Sequence, residues 1–263
     1  MKEIPLLKQK LQKGEPVFGI WCVIPSGTVM EIIASAGFDF VIIDMEHGPL
    51  GFETAEEMVR AAQSEGVSPL IRIGQINEEY ILKALDIGAA GILTAHVGSK
   101  EEALEVVSLS KYYPDGKRGF SPYTRAGGYS GGDIVQHSVL QNDRTIAGVI
   151  VEGATGVADF DDILSTPNLD LVYVGAYDLS QSLGMPGQVG HPQVRKAMET
   201  CMDKARTKGV AAGGYVAKNV ADIQWMIGIG MQFITYLPDC TLFQNACKGA
   251  VDEFKSAIDR KAL

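Results

Sequence analysis

The stretch Phe40-Val41-Ile42-Ile43-Asp44-Met45-Glu46-His47 sets four apolar residues directly before two acids and a histidine. A short apolar run preceded by Gly37 reads as a strand buried on both faces, the kind found in parallel sheets. The pattern recurs along the chain. Pro69-Leu70-Ile71 leads to Arg72, Ala147-Gly148-Val149-Ile150-Val151 leads to Glu152, and Leu171-Val172-Tyr173-Val174-Gly175-Ala176-Tyr177 leads to Asp178. Burying charge costs free energy unless the charge is paired or metal-bound. Several ionisable residues at C-terminal strand ends, in a chain that alternates strand and helix, mark the catalytic face of a barrel.

Working outward, the apolar runs predict strands over Val17–Cys22, Phe40–Asp44, Ser68–Arg72, Gly91–Ala95, Ile146–Glu152, Leu171–Gly175, Val210–Gly213 and Phe233–Tyr236. Helical patterns follow at Leu6–Gln12, Thr28–Ala36, Thr54–Ser64, Glu78–Ile87, Lys100–Lys111, Val157–Leu164, Pro192–Lys208, Asn219–Ile229 and Leu242–Lys261. Gly37, Gly66, Gly88, Gly209 and Gly230 stand where helices stop before strands. The sum is a (β/α)8 TIM barrel, one domain over residues 1–263.

The net charge of −9 disfavours nucleic acid and anionic membrane as partners. No apolar run reaches the length of a membrane span, and Met1-Lys2-Glu3-Ile4-Pro5 lacks the apolar core of a signal peptide. Cys22, Cys201, Cys240 and Cys247 show no CxxC spacing and read as reduced thiols of a cytoplasmic protein. Cys22, near a strand end, is either a reactive thiol or a small buried apolar residue.

Glu152 and Asp178 end adjacent predicted strands with no cysteine or histidine at zinc-like spacing, which suits a hard divalent cation, Mg²⁺ or Mn²⁺. Asp178 has a second reading, as an N-cap for a turn starting at Leu179. His47 is an acid/base candidate or a loop histidine held by a nearby carboxylate. Asp86, in Leu85-Asp86-Ile87-Gly88, either orients an imidazole or faces solvent. Arg72 either holds an anion or pairs with Asp44 or Glu46 across neighbouring strands. His96 ranks below His47 because no acid adjoins it; His137 and His191 fall in loops. The long irregular segment Tyr112–Gln136 carries Arg118, Tyr123, Arg125 and Tyr129. It reads as a loop that covers substrate, with Arg125 as a contact, or that touches another subunit, against the alternative of an inert excursion. Gly127-Gly128 and Gly131-Gly132 make a weak phosphate cradle.

At Asp44-Met45-Glu46-His47, Pro69-Leu70-Ile71-Arg72, Tyr113-Pro114-Asp115-Gly116-Lys117-Arg118-Gly119, Val151-Glu152 and Asp178-Leu179-Ser180-Gln181-Ser182-Leu183-Gly184, the chain resembles the HpcH/HpaI aldolases. These are metal-dependent class II pyruvate aldolases of the 4-hydroxy-2-oxoheptanedioate and 2-dehydro-3-deoxyglucarate type. The resemblance implies that Glu152 and Asp178 hold Mg²⁺, Mn²⁺ or Co²⁺, that Arg72 stabilises an enolate oxygen, and that His47, oriented by Asp86, is the acid/base. It implies that the backbone at Tyr177 and Asp178 holds the pyruvyl carboxylate. It also implies a homo-oligomer, a hexamer of dimers that exchange the last helix. Ile150, Ala176, His96 and the Leu237-Pro238-Asp239 segment depart from the family pattern.

The expected reaction is reversible cleavage of a 4-hydroxy-2-oxo acid to pyruvate and an aldehyde. His47 relays the proton from the 4-hydroxyl, and the metal and Arg72 stabilise the enolate. The competing readings are another metal-dependent 2-oxo-acid enolate lyase or carbon–carbon bond former, including an acyl-CoA lyase, and a non-catalytic 2-oxo-acid-binding protein. The chain lacks an obvious basic cluster for CoA, and binding alone needs no base.

Overall fold

Residue Gly19 shows how tightly the strands close: a Cβ there would lie 2.4 Å from the Phe40 ring. The computed structural model describes residues 7–129 and 133–259. Strands β1 (Val17–Cys22), β2 (Phe40–Asp44), β3 (Ser68–Ile73), β4 (Gly91–Thr94), β5 (Ile146–Val151), β6 (Leu171–Val174), β7 (Ala211–Gly214) and β8 (Phe233–Tyr236) pair in parallel and close in sequence order, β8 on β1. The (β/α)8 architecture is as the sequence predicts, with no strand end shifted by more than one residue.

Between the strands run α2 (Gly27–Ser35), α3 (Phe52–Ser64), α4 (Glu78–Asp86) and α5 (Lys100–Ser110). The second half adds α6 (Ile134–Arg144), α7 (Ala154–Ala158), α8 (Phe160–Leu164), α9 (Ala176–Ser182), α10 (Pro192–Lys208) and α11 (Val220–Gly228). Helix α1 (Leu7–Gln12) precedes the barrel and α12 (Asp239–Asp259) follows it. Two helices go beyond the sequence reading. Helix α6 begins within the segment read as irregular, capped by Asp133, and it carries His137. Helix α9 starts immediately after β6. The single helix expected at Val157–Leu164 is two short ones. The expected helix ends Leu6 and Lys261, and the Gly131-Gly132 pair, lie outside the described residues.

One apolar layer fills the space between sheet and helices. A second fills the barrel itself, where Phe40 stacks on Phe233 with ring centroids 3.9 Å apart. The closed end of the barrel holds a buried ionic knot: Lys8 and Lys111 both reach Asp170, at 2.8 Å and 2.9 Å. Burial lowers Lys111 to about 8, against the opposing pull of Asp170. All four cysteines are free; Cys22 is buried, and burial raises its thiol well above the ordinary range, which makes it inert. Among the described residues no helix is long and apolar enough to cross a membrane.

Candidate active site

The C-terminal strand ends surround a cavity of about 360 Å³ lined in part by Asp44, His47, Arg72, Glu152, Tyr177 and Asp178. Asp44, the last residue of β2, is in register with Arg72 of β3. One carboxylate oxygen of Asp44 accepts the Arg72 Nε–H at 2.9 Å and the backbone N–H groups of Glu46 and His47 at 3.1 Å each. Its other oxygen accepts from Arg72 Nη2. One buried acid thus fixes both the guanidinium and the turn that carries His47.

Arg72 also pairs with Glu46 at 3.3 Å and lies over the Trp21 ring, 4.6 Å from its centroid. The expected ion pair with Asp44 and Glu46 is therefore present. Those contacts leave further guanidinium N–H groups available to a substrate oxygen, because the planar fork carries more donors than Asp44 and Glu46 use.

Glu152 follows β5 and is 7% exposed. Burial raises its carboxyl above the ordinary range; Asp178 and Glu46 add to the rise, and His96 opposes it. His96 bridges two acids: Nδ1 lies 2.6 Å from Glu152 and Nε2 lies 2.9 Å from Glu46. Its backbone N–H donates to Glu152 as well, at 3.1 Å. Its φ of 60° is left-handed, a conformation most residues avoid. The sequence ranked His96 low for want of an adjoining acid, yet across the strands it has two.

Asp178 sits in the first turn of α9, whose N-cap is Gly175, so its carboxylate is not the helix cap. The N-cap alternative is corrected accordingly. Gly175 also clears space, since a Cβ there would meet the Glu152 side chain at 2.8 Å. A buried carboxylate with raised proton affinity, a second acid nearby and a cradle that any side chain would fill together fit a divalent cation. Among the described residues no group of three or more His, Cys, Asp or Glu forms a complete metal cage. A cation held there would take two carboxylates from the protein and its other ligands from water and substrate oxygens.

Two expected site residues lie elsewhere in the chain. Asp86 ends α4, at the barrel's opposite face, and its carboxylate is held by Arg118 at 2.8 Å. Within one chain it does not orient His47, because α4 carries it a full helix length away from the strand ends. Arg125 bonds Gln63 at the C-terminal end of α3 at 2.7 Å and packs on Gly88, so it does not line this cavity. The described part of the long segment folds over the ends of α3 and α4 rather than over the mouth. His191 caps α10 through Nδ1, a structural role.

Of the remaining wall, the sequence marked Ile150, Ala176 and Pro238 as departures from the family pattern, and all three line the cavity. Trp21 and Val23 of the β1 end, Tyr215 and Val216 after β7, and Pro238 and Cys240 after β8 form the side facing the ionisable groups. Pro238 aside, such residues carry no sequence signal that separates them from core.

Comparison with known proteins agrees with this arrangement. A 2-keto-3-deoxy-L-rhamnonate aldolase of Escherichia coli (strain K12) is 34% identical over 251 residues, which cover 95% of this chain and 92% of that protein. The solved HpcH/HpaI aldolase of Desulfitobacterium hafniense DCB-2 superposes with a TM-score of 0.90 at 31% identity, covering 95% of this chain and 96% of that one. Citrate synthase SbnG superposes with a TM-score of 0.87 at 30% identity, covering 96% of this chain and 98% of that one. Barrel, acidic mouth and likenesses together define an enzyme of the aldehyde-lyase class. The chain belongs to the HpcH/HpaI aldolase/citrate lyase family, whose model matches residues 18–246. Aldolases of this family depend on a divalent metal and cleave 2-oxo acids to pyruvate and an aldehyde.

Proposed function

We propose that Glu152, Asp178, Arg72 and His47 are the working residues of a class II aldolase that cleaves a 4-hydroxy-2-oxo acid to pyruvate and an aldehyde. The observation that carries this reading is their convergence on one cavity from β2, β3, β5 and β6. Glu152 and Asp178 hold the cation. When bound, Mg²⁺, Mn²⁺ or Co²⁺ supplies Lewis-acid stabilisation of the charge that develops on the 2-oxo oxygen.

The chain's own residues do the rest. The first-turn backbone of α9 at Tyr177 and Asp178 orients the substrate carboxylate. His47 relays the proton from the 4-hydroxyl group while the C3–C4 bond breaks. The electron pair moves to the 2-oxo oxygen, where Arg72 donates from its spare N–H groups. A proton returned to C3 completes pyruvate. Asp44, by accepting the backbone N–H of His47, keeps the base at the mouth. No lysine Schiff base is involved.

The finer assembly reading is a homo-oligomer, a hexamer of dimers that exchange α12. It is supported by Phe243, Val251, Phe254 and Ile258, which are 67%, 49%, 66% and 52% exposed along that helix. Apolar surface of that extent on one helix calls for a partner. Free cysteines and an acidic charge fit a cytoplasmic enzyme. The test is pyruvate release from 4-hydroxy-2-oxo acids of stepped length. Release should vanish in chelator and return with Mg²⁺, Mn²⁺ or Co²⁺; full activity in excess EDTA contradicts the proposal. A second reading, bond formation with the same enolate, draws on the likeness to citrate synthase SbnG. Condensation without detectable cleavage would favour it.

A further inference from the structure

The mouth of the barrel is divided by chemistry. Strands β2, β3, β5 and β6 supply its ionisable groups, while β7, β8 and β1, contiguous in the closed sheet, supply Tyr215, Val216, Pro238, Cys240, Trp21 and Val23. None of these six is charged.

The one acid at the end of β8 is turned away. The Asp239 carboxylate accepts the backbone N–H of Val23 at 3.0 Å and of Ile24 at 3.0 Å, and it is 4% exposed. It ties β1 to the start of α12 and does not line the cavity. The wall is also rigid. The Tyr215 carbonyl, in a residue with φ of 64°, accepts the Tyr173 hydroxyl at 2.8 Å and the Thr235 hydroxyl at 2.7 Å. Just beyond it, Ala217 N–H donates to the Thr235 carbonyl at 2.9 Å and extends the ladder past β7.

Among the described lining residues the basic groups are His47 and Arg72, both on the ionisable side. Arg72 is already paired with Asp44 and Glu46. With a divalent cation on Glu152 and Asp178, and Arg72 on Asp44, the ionisable side keeps its charges to itself and offers none to the opposite wall.

From this division we infer that the enzyme selects a neutral aldehyde half with apolar surface and discriminates against one ending in a carboxylate. The inference rests on the aldolase reading above and names its substrate class. The pyruvyl carboxylate has the cation and the α9 backbone to receive it. A second carboxylate at the far end would be desolvated against Tyr215, Val216 and Trp21 with no cation to pair it. A methyl or alkyl group there instead leaves water for an apolar surface.

The test runs in the bond-forming direction with wild-type holoenzyme, Mn²⁺ and pyruvate. Pyruvate loses one methyl proton, its C3 bonds the aldehyde carbon, and the aldehyde oxygen gains a proton. Butanal and 4-oxobutanoate have the same carbon count and differ in the distal carboxylate. Butanal should exceed 4-oxobutanoate in kcat/KM by about tenfold or more. Cys240→Arg, at an exposed wall position, should shift that ratio toward 4-oxobutanoate by about tenfold. Metal-dependent exchange of pyruvate methyl protons, measured alongside, separates the failures. Exchange with equal or better use of 4-oxobutanoate overturns the selectivity and leaves the aldolase reading standing. No exchange overturns both. A wild-type preference for butanal that Cys240→Arg leaves untouched overturns the assignment of the wall.

Discussion

The two sides of the barrel mouth are built from the same kind of strand and are used differently. From β2 to β6 the chain uses hydrogen bonds to hold charge: Asp44 fixes Arg72 and the His47 turn, and His96, just after β4, links Glu46 to Glu152. On β7, β8 and β1 the bonds hold backbone: Thr235, helped by Tyr173 of the neighbouring β6, on the Tyr215 carbonyl, and Asp239 on the N–H groups of Val23 and Ile24. One side holds charged groups in fixed positions, and the other is a stiff neutral surface. Reaction and selectivity can therefore change independently, which fits a family whose relatives include both an aldolase and a citrate synthase.

The comparison breaks most sharply at the carboxylate pair. Glu152→Gln or Asp178→Asn should lower kcat by about 10⁴-fold, several kcal/mol of lost Lewis-acid stabilisation. Excess metal should not restore it. Either variant retaining near wild-type turnover would remove the metal from the ionisable side. Next in size is His47→Ala. It should lower kcat by about 10²–10⁴-fold with cation affinity nearly intact, as measured by Mn²⁺ titration. A variant that loses only thermal stability would make His47 structural.

His96→Ala should weaken Mn²⁺ binding by about 10–100-fold in the absence of substrate, the usual effect of losing a group that orients a metal ligand. His96→Asn, which keeps a side-chain donor, should recover part of it. Equal affinities in all three proteins would show that the bridge between Glu46 and Glu152 orients nothing.

The smallest effect lies outside both sides, in the ionic knot at the closed end. Folded Lys111 titrates near 8, against an ordinary value of 10.5. Between those values the folded protein has released a proton that the unfolded chain still binds, so stability rises with pH there and the gain is absent below about pH 8. The stability difference between wild type and Lys111→Met should move in favour of wild type by at most about 1.4 kcal/mol per pH unit across that window. Aldehyde preference should not change. Parallel melting curves for the two proteins from pH 7.5 to 10 would place Lys111 outside this account.

Most of the barrel was legible because its strands are apolar runs with charge at one end, from Phe40–Asp44 to Leu171–Val174. Helix α6 was not, because the expected inward stripe is absent: Ile134, Val135, Val139 and Leu140 are exposed. In the site, Glu152, Asp178, Arg72 and His47 were legible as charge out of place. Asp86 and Arg125 are charged too, but their pairings with Arg118 and Gln63 join the irregular segment to the ends of α4 and α3, which linear spacing does not encode. His96 was underrated for the same reason. The neutral wall was invisible, since Trp21, Val23 and Tyr215 read as core until the strands close around a cavity.

Formation of a pyruvate enolate at the ionisable side is the step on which cleavage depends, and it needs no aldehyde. The direct measurement is exchange of pyruvate methyl protons for deuterium in D₂O, followed by proton NMR with Mg²⁺ as the added ion. Wild-type protein should exchange well above a metal-only control. Chelator should stop the exchange, and Arg72→Lys, which keeps the charge but loses the planar fork, should slow it. Exchange by wild type no faster than metal alone would contradict the account.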